Sequence, residues 1–157
     1  MEVLLDIEGF RGKYDFIFVP TDPRMKQTFE HAFINLVSPE AADEFAQHFQ
    51  NFTRWPCGAK LPALVEWSVW LQGLEQLVAY YRNSPVMHRG EPAAAKPLIY
   101  CDGEQIAMPP PTQEISPPDD WTYGQFWQQC AWARGDEALR CCCRPANAPP
   151  VERGRKS

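Results

Sequence analysis

The sequence predicts an α+β domain in which helices cover a sheet and a proline-rich tail follows. Three observations carry this expectation. Residues Phe29 to Leu36 alternate strictly, which is the period of a strand. Tyr14 to Val19 is a second short run, rich in aromatic and β-branched residues and stopped by Pro20. Ala42, Phe45, Ala46 and Phe49 recur at the i, i+3, i+4, i+7 spacing of a helix with one apolar face.

The elements follow in order. Val3, Leu4 and Ile7 have helical spacing and Gly9 stops them, so the chain opens on the last two turns of a helix. Tyr14 to Val19 is a strand with Phe16 and Phe18 toward the core and Asp15 on an open, hydrated face. Thr21 to Gln27 is a polar loop containing Pro23. In the octapeptide strand, Glu30, Ala32, Ile34 and Leu36 point to the helix-covered side. Phe29, His31, Phe33 and Asn35 point the other way and set three flat rings on one face. Ser38 caps the next helix, Pro39 takes its first position, and Glu40 sits near its positive end. Phe52 to Pro62 holds Pro56 and Gly58 and reads as a turn region. Leu64 to Trp70 alternates again and predicts a further strand, with Val65, Trp67 and Val69 inward and Glu66, Ser68 and Trp70 outward. Leu74, Leu77, Val78 and Tyr81 mark a third helix. The spacing leaves open whether it lies beside the sheet or shields the ring-bearing face.

Beyond residue 84 the composition changes. Eleven of the 16 prolines fall there, which argues against a second packed core. The predicted organisation is a domain over 1–84 and a largely disordered tail over 85–157. Within the tail, 120–134 carries Trp121, Tyr123, Phe126, Trp127 and Trp132, a candidate short helix or partner-binding segment.

Composition narrows the function. No run of about 18 apolar residues is present, so no membrane helix is predicted. The first residues lack the basic and apolar regions of a signal peptide, which predicts a nuclear or cytoplasmic, non-secreted protein. Cys57, Cys101 and Cys130 are scattered, and Cys141, Cys142 and Cys143 are consecutive. That spacing matches neither a disulfide framework nor a paired zinc motif, and the triple cluster reads as reduced thiols in a tail. His31, His48 and His88 have no metal-binding spacing, and no phosphate-cradling loop or nucleophile elbow occurs, so neither an enzyme nor a cofactor is predicted. The net charge of −5 runs against strong nucleic-acid binding, for which phosphate neutralisation supplies much of the affinity. Arg11, Lys13, Arg24 and Lys26 are nevertheless gathered around the first strand and its following loop.

Rings on an open sheet face are what unstacked bases need. The alternative is a half-buried strand whose second face is covered by another element. The neighbouring segments add a resemblance. Gly12-Lys-Tyr-Asp-Phe16, Ala32-Phe-Ile-Asn35, Val37-Ser-Pro-Glu-Ala41, Leu71-Gln-Gly73 and Tyr81-Arg-Asn-Ser84 are similar to the C-terminal RNA recognition motif of the Mei-two-like proteins, over roughly residues 1 to 100. The resemblance implies an RRM-like (ferredoxin-like) antiparallel sheet packed on two helices, here with its first strand missing. Met1 to Ile7 then corresponds to the end of the first helix. The missing strand is central, and its loss leaves unpaired groups on its neighbours. Three arrangements follow: a fragment of a longer protein, which is the leading expectation; direct pairing of the two flanking strands; or a partner strand in the gap.

The octapeptide also departs from the family pattern of basic residue, glycine, aromatic, glycine or alanine, aromatic. Phe29 stands for the basic residue, Glu30 for the glycine and His31 for the first aromatic, whereas Ala32 and Phe33 match. The implied activity is recognition of single-stranded RNA by stacking on His31 and Phe33, with Phe29 beside them. Asn35 reaches a base edge, and Arg24 and Lys26 contact phosphates. The second reading is a degenerate domain whose exposed sheet edge pairs with a protein partner.

Overall fold

A computed structural model describes residues 1–22, 27–28, 31–119 and 122. The chain opens on helix α1 (Glu2–Ile7), followed by strand β1 (Tyr14–Phe18). The predicted polar loop forms a two-residue ladder between β2 (Thr21–Asp22) and β3 (Gln27–Thr28). Strand β4 (Phe33–Leu36) is shorter than the octapeptide predicts. His31 and Ala32 precede its ladder, and Phe29 and Glu30 lie outside the described residues.

Helix α2 (Pro39–Phe49) begins as its sequence predicts: the Ser38 side chain accepts a hydrogen bond from the Ala41 N–H at 3.1 Å, and Pro39 takes the first turn. Helix α3 (Leu74–Tyr81) also matches the predicted spacing. Strands β5 (Leu98–Cys101) and β6 (Glu104–Ile106) complete an antiparallel sheet of order β4-β1-β5-β6. Among the described residues, an open four-stranded antiparallel sheet and three α-helices make the α+β architecture expected from the sequence.

Two apolar clusters hold this sheet between layers. On one face Leu4 and Leu5 of α1 and Phe45 and Phe49 of α2 pack on Tyr14, Ile17 and Tyr100. On the other, Leu77 and Tyr81 of α3 pack on Phe16, Phe18 and Ile99. A β-bulge at Asp15 makes this division workable. Tyr14 pairs with Leu36 but Phe16 already pairs with Asn35, so Asp15 is an extra residue. The insertion changes the alternation, placing Tyr14 and Ile17 on the same face although they are three residues apart.

Three expectations are corrected. Phe16 and Phe18 face a core, but it is the one under α3, on the same side as Phe33. Leu64 to Trp70 is not a strand. The Val65 N–H is taken by Gln50 Oε1 at 2.8 Å, and the Ser68 hydroxyl accepts from the Trp70 and Leu71 N–H groups, which turns the chain before a ladder can form. The last two strands come instead from beyond residue 84, where composition predicts a tail. Their turn is Asp102-Gly103, with φ of 50° and 79°, the backbone of a two-residue hairpin whose twist matches its strands. The predicted helix over 120–134 lies outside the described residues apart from Thr122, which is buried and hydrogen-bonded to Asp119. The triple-cysteine cluster is outside them altogether. Cys101 is a free thiol and Cys57 is disulfide-bonded.

Candidate nucleic-acid interface

β4 and its approach carry the predicted ring pair. His31 meets Phe33 edge to face at 5.0 Å between centroids. Phe33 in turn stacks on Phe18 at 6.3 Å, with the planes 16° apart. Phe33 is therefore half-buried, anchored to the core under α3 rather than standing on a bare face. The third helix has settled the open question by covering that side of the sheet.

Asn35 is committed to the protein. Its Nδ2 donates to Asp15 Oδ1 at 2.7 Å, and its Oδ1 accepts the Gly73 N–H at 3.1 Å. It thereby ties the bulge of β1 to the start of α3. Burial pushes the Asp15 carboxyl above its ordinary pKa, against the pull of the hydrogen bonds from Asn35 and the backbone.

What opens to solvent is a cleft of about 700 Å³ beside β4, lined by every residue of that strand. One wall carries Leu5, Phe45 and Phe49, and the other carries Leu71, Leu74 and Leu77. His31 and Trp67 also line it. Trp67 is 62% exposed. Sequence reasoning missed this ring because the alternation of Leu64 to Trp70 directs it inward. Only the loss of that strand turns it out.

The cations are placed less favourably. Arg11 pairs with Glu104 at 2.8 Å, and Lys13 pairs with Glu44 at 2.7 Å. Such exposed pairs are weak and can exchange partners. Arg24, Lys26 and Phe29 lie outside the described residues. Asp15, Asp43 and Glu66 line the cleft, and they oppose a phosphate backbone. Among the described residues no cluster of His, Cys, Asp and Glu could hold a metal ion.

Comparison with known proteins agrees with the resemblance. Residues 2–82 match the family described as RNA recognition motif 2. Protein MEI2-like 4 of Oryza sativa subsp. japonica is 32% identical over 95 residues, covering 59% of this chain and 9% of that protein. Protein MEI2-like 1 of Arabidopsis thaliana is 30% identical over 93 residues, with 59% and 10% covered. Protein MEI2-like 2 of Arabidopsis thaliana is 29% identical over 123 residues, with 74% and 14% covered. The matched region is thus roughly a tenth of the length of these relatives.

Proposed function

The chain belongs to the RNA recognition motif 2 family, and from that premise we propose that it binds single-stranded RNA through rings at the cleft beside β4. His31 and Trp67 offer stacking surfaces, and Phe33 holds His31 in place from below. The observation that carries this reading is the edge-to-face pair of His31 and Phe33 lining the same cleft as an exposed Trp67. Every base has a flat face, so stacking of this kind tolerates sequence variation. The work is binding rather than catalysis, and it takes place in the nucleus or cytoplasm.

Affinity should be low. Stacking contributes about 1–3 kcal/mol per base, so two accessible rings give little, and Asp15, Asp43 and Glu66 subtract from it. Binding in the micromolar range or weaker follows. Arg24 and Lys26 are the proposed phosphate contacts.

Phe33→Ala is a poor test, because the ring also packs on Phe18. His31→Ala and Trp67→Ala are better. Each should weaken binding of a fluorescein-labelled single-stranded RNA of mixed sequence by roughly tenfold, read by anisotropy, with the far-ultraviolet circular dichroism unchanged. Equal binding by wild type and both variants rejects the assignment.

A further inference from the structure

We propose that Pro109-Pro-Pro111 is a ligand for a protein partner with an aromatic-lined, proline-reading groove of the WW type. The domain holds this run as an outward-facing strap on the shoulder of α3. The inference is independent of RNA binding and of the cleft beside β4.

The conformation follows from the residues. Each proline locks its own φ near about −65°. Each also drives the residue before it to an extended backbone, so Met108, Pro109 and Pro110 are all confined to the polyproline II region. Residues 107–111 accordingly join neither a helix nor a ladder. A polyproline II segment has no internal hydrogen bonds, so its carbonyls answer to outside donors.

The domain supplies those donors. Arg82, just past α3, donates from Nε to the Pro110 C=O at 2.9 Å and from Nη2 to the same oxygen. Asn83 Nδ2 donates to Thr112 Oγ1 at 2.9 Å, and Asn83 Oδ1 accepts the Thr112 N–H at 2.9 Å. Met108 packs against the apolar cluster under α3. The run is thus fastened before, within and after its three prolines. These contacts use main chain and flanking side chains, and the rings of Pro110 and Pro111 stay exposed. A ligand held in its bound shape loses less conformational freedom when a partner arrives.

The flanking sequence selects the partner. Exposed pyrrolidine rings on a polyproline II helix fit between aromatic side chains, as in SH3 and WW grooves. An SH3 groove adds an acidic pocket for a flanking Lys or Arg, and neither occurs between Lys96 and Arg134. That stretch instead carries Asp102, Glu104, Glu114, Asp119 and Asp120, which favours a partner whose rim is basic. Thr112 and Gln113 follow the run where some WW domains require a tyrosine. The class that remains reads a run of prolines by itself. The same carboxylates disfavour a phosphate backbone here.

The test titrates the full chain into a fluorescein-labelled WW domain that binds oligoproline, with anisotropy as the readout. Wild type should bind. Pro110→Ala and Pro111→Ala together should weaken binding at least about tenfold. Both rings are exposed, so the circular dichroism of the double variant should match wild type. A synthetic peptide of residues 107–113 should bind at least about threefold more weakly than the full chain, because it must become ordered on binding. Arg82→Ala should move the full chain toward the peptide's affinity. No binding by wild type overturns the proposal, as does binding that survives the double substitution. So does a free peptide that binds as well as the full chain or better, since the contacts with α3 then hide the run instead of presenting it.

Discussion

The carboxamide of Asn35 uses its donor on Asp15 and its acceptor on the Gly73 N–H, so it is a poor candidate for reading a base edge. Its role is to fix geometry. Asp15 is the extra residue of the bulge, and its carboxylate is half-buried. Asn35→Ala removes the hydrogen bond to that carboxylate and leaves it facing the cleft without its amide. The expected cost is about 1–3 kcal/mol, the range for stranding a partly buried polar partner. A urea titration checks this, and a variant as stable as wild type contradicts it. Phe33 is similarly double in purpose. Its contact with Phe18 makes it part of the core, and its contact with His31 makes it part of the proposed interface.

At the next scale, each element boundary has a local device. Glu8, just past α1, accepts from His48 Nε2 of α2 and from Arg54 of the following loop, both at 2.6 Å. The hydrogen bond from His48, then those from and the charge of Arg54, hold the Glu8 carboxyl below its ordinary pKa despite some desolvation. A lowered folded-state value means the unfolded chain binds the proton more readily. The stabilisation is therefore present above the ordinary carboxylate pKa and lost as pH falls through the lowered value. Glu8→Gln should abolish that part of the acid sensitivity. Urea midpoints compared between neutral and acidic pH should differ less in the variant than in wild type, and identical differences would argue against it. Local signals of this kind were legible in the sequence. Ser38, Pro39 and Glu40 marked the start of α2, and the spacing of Leu74, Leu77 and Tyr81 marked α3, because a helix is specified by neighbours. The sheet was less legible. The bulge at Asp15 depends on the register of two strands at once. The segment Leu64 to Trp70 has strand-like alternation but no ladder to join. The Asp102-Gly103 hairpin signal was present among prolines, yet its pairing with β1 is remote in sequence. The interface was legible only in part: the sequence named His31 and Phe33 as neighbours, but it could not show α3 covering their face or Trp67 turning outward.

Among the described residues, both faces of the sheet are packed where β1, β4 and β5 lie, so the ring-bearing side of β4 is covered by α3 rather than open for nucleotides to lie across. The proposed RNA site lies instead at the edge, where β4, α2, α3 and the segment carrying Trp67 line a cleft. That cleft is apolar within and acidic at its rim, in a chain of net charge −5. Such a surface suits weak stacking by rings better than it suits tight, salt-dependent capture of phosphates. The hairpin of β5 and β6 contributes on the far side of β1, burying Ile99 and Tyr100 and closing both clusters away from the cleft. The region that relatives share with this chain is about a tenth of their length, and activities of whole relatives are not needed for this reading. RNA is proposed to meet this protein at the rings beside β4. An amide chemical-shift titration with single-stranded RNA of mixed sequence tests it most directly. The largest changes should gather at His31 to Asn35 and around Trp67; changes concentrated on β6 or on the outer side of α2, or none at all, would contradict it.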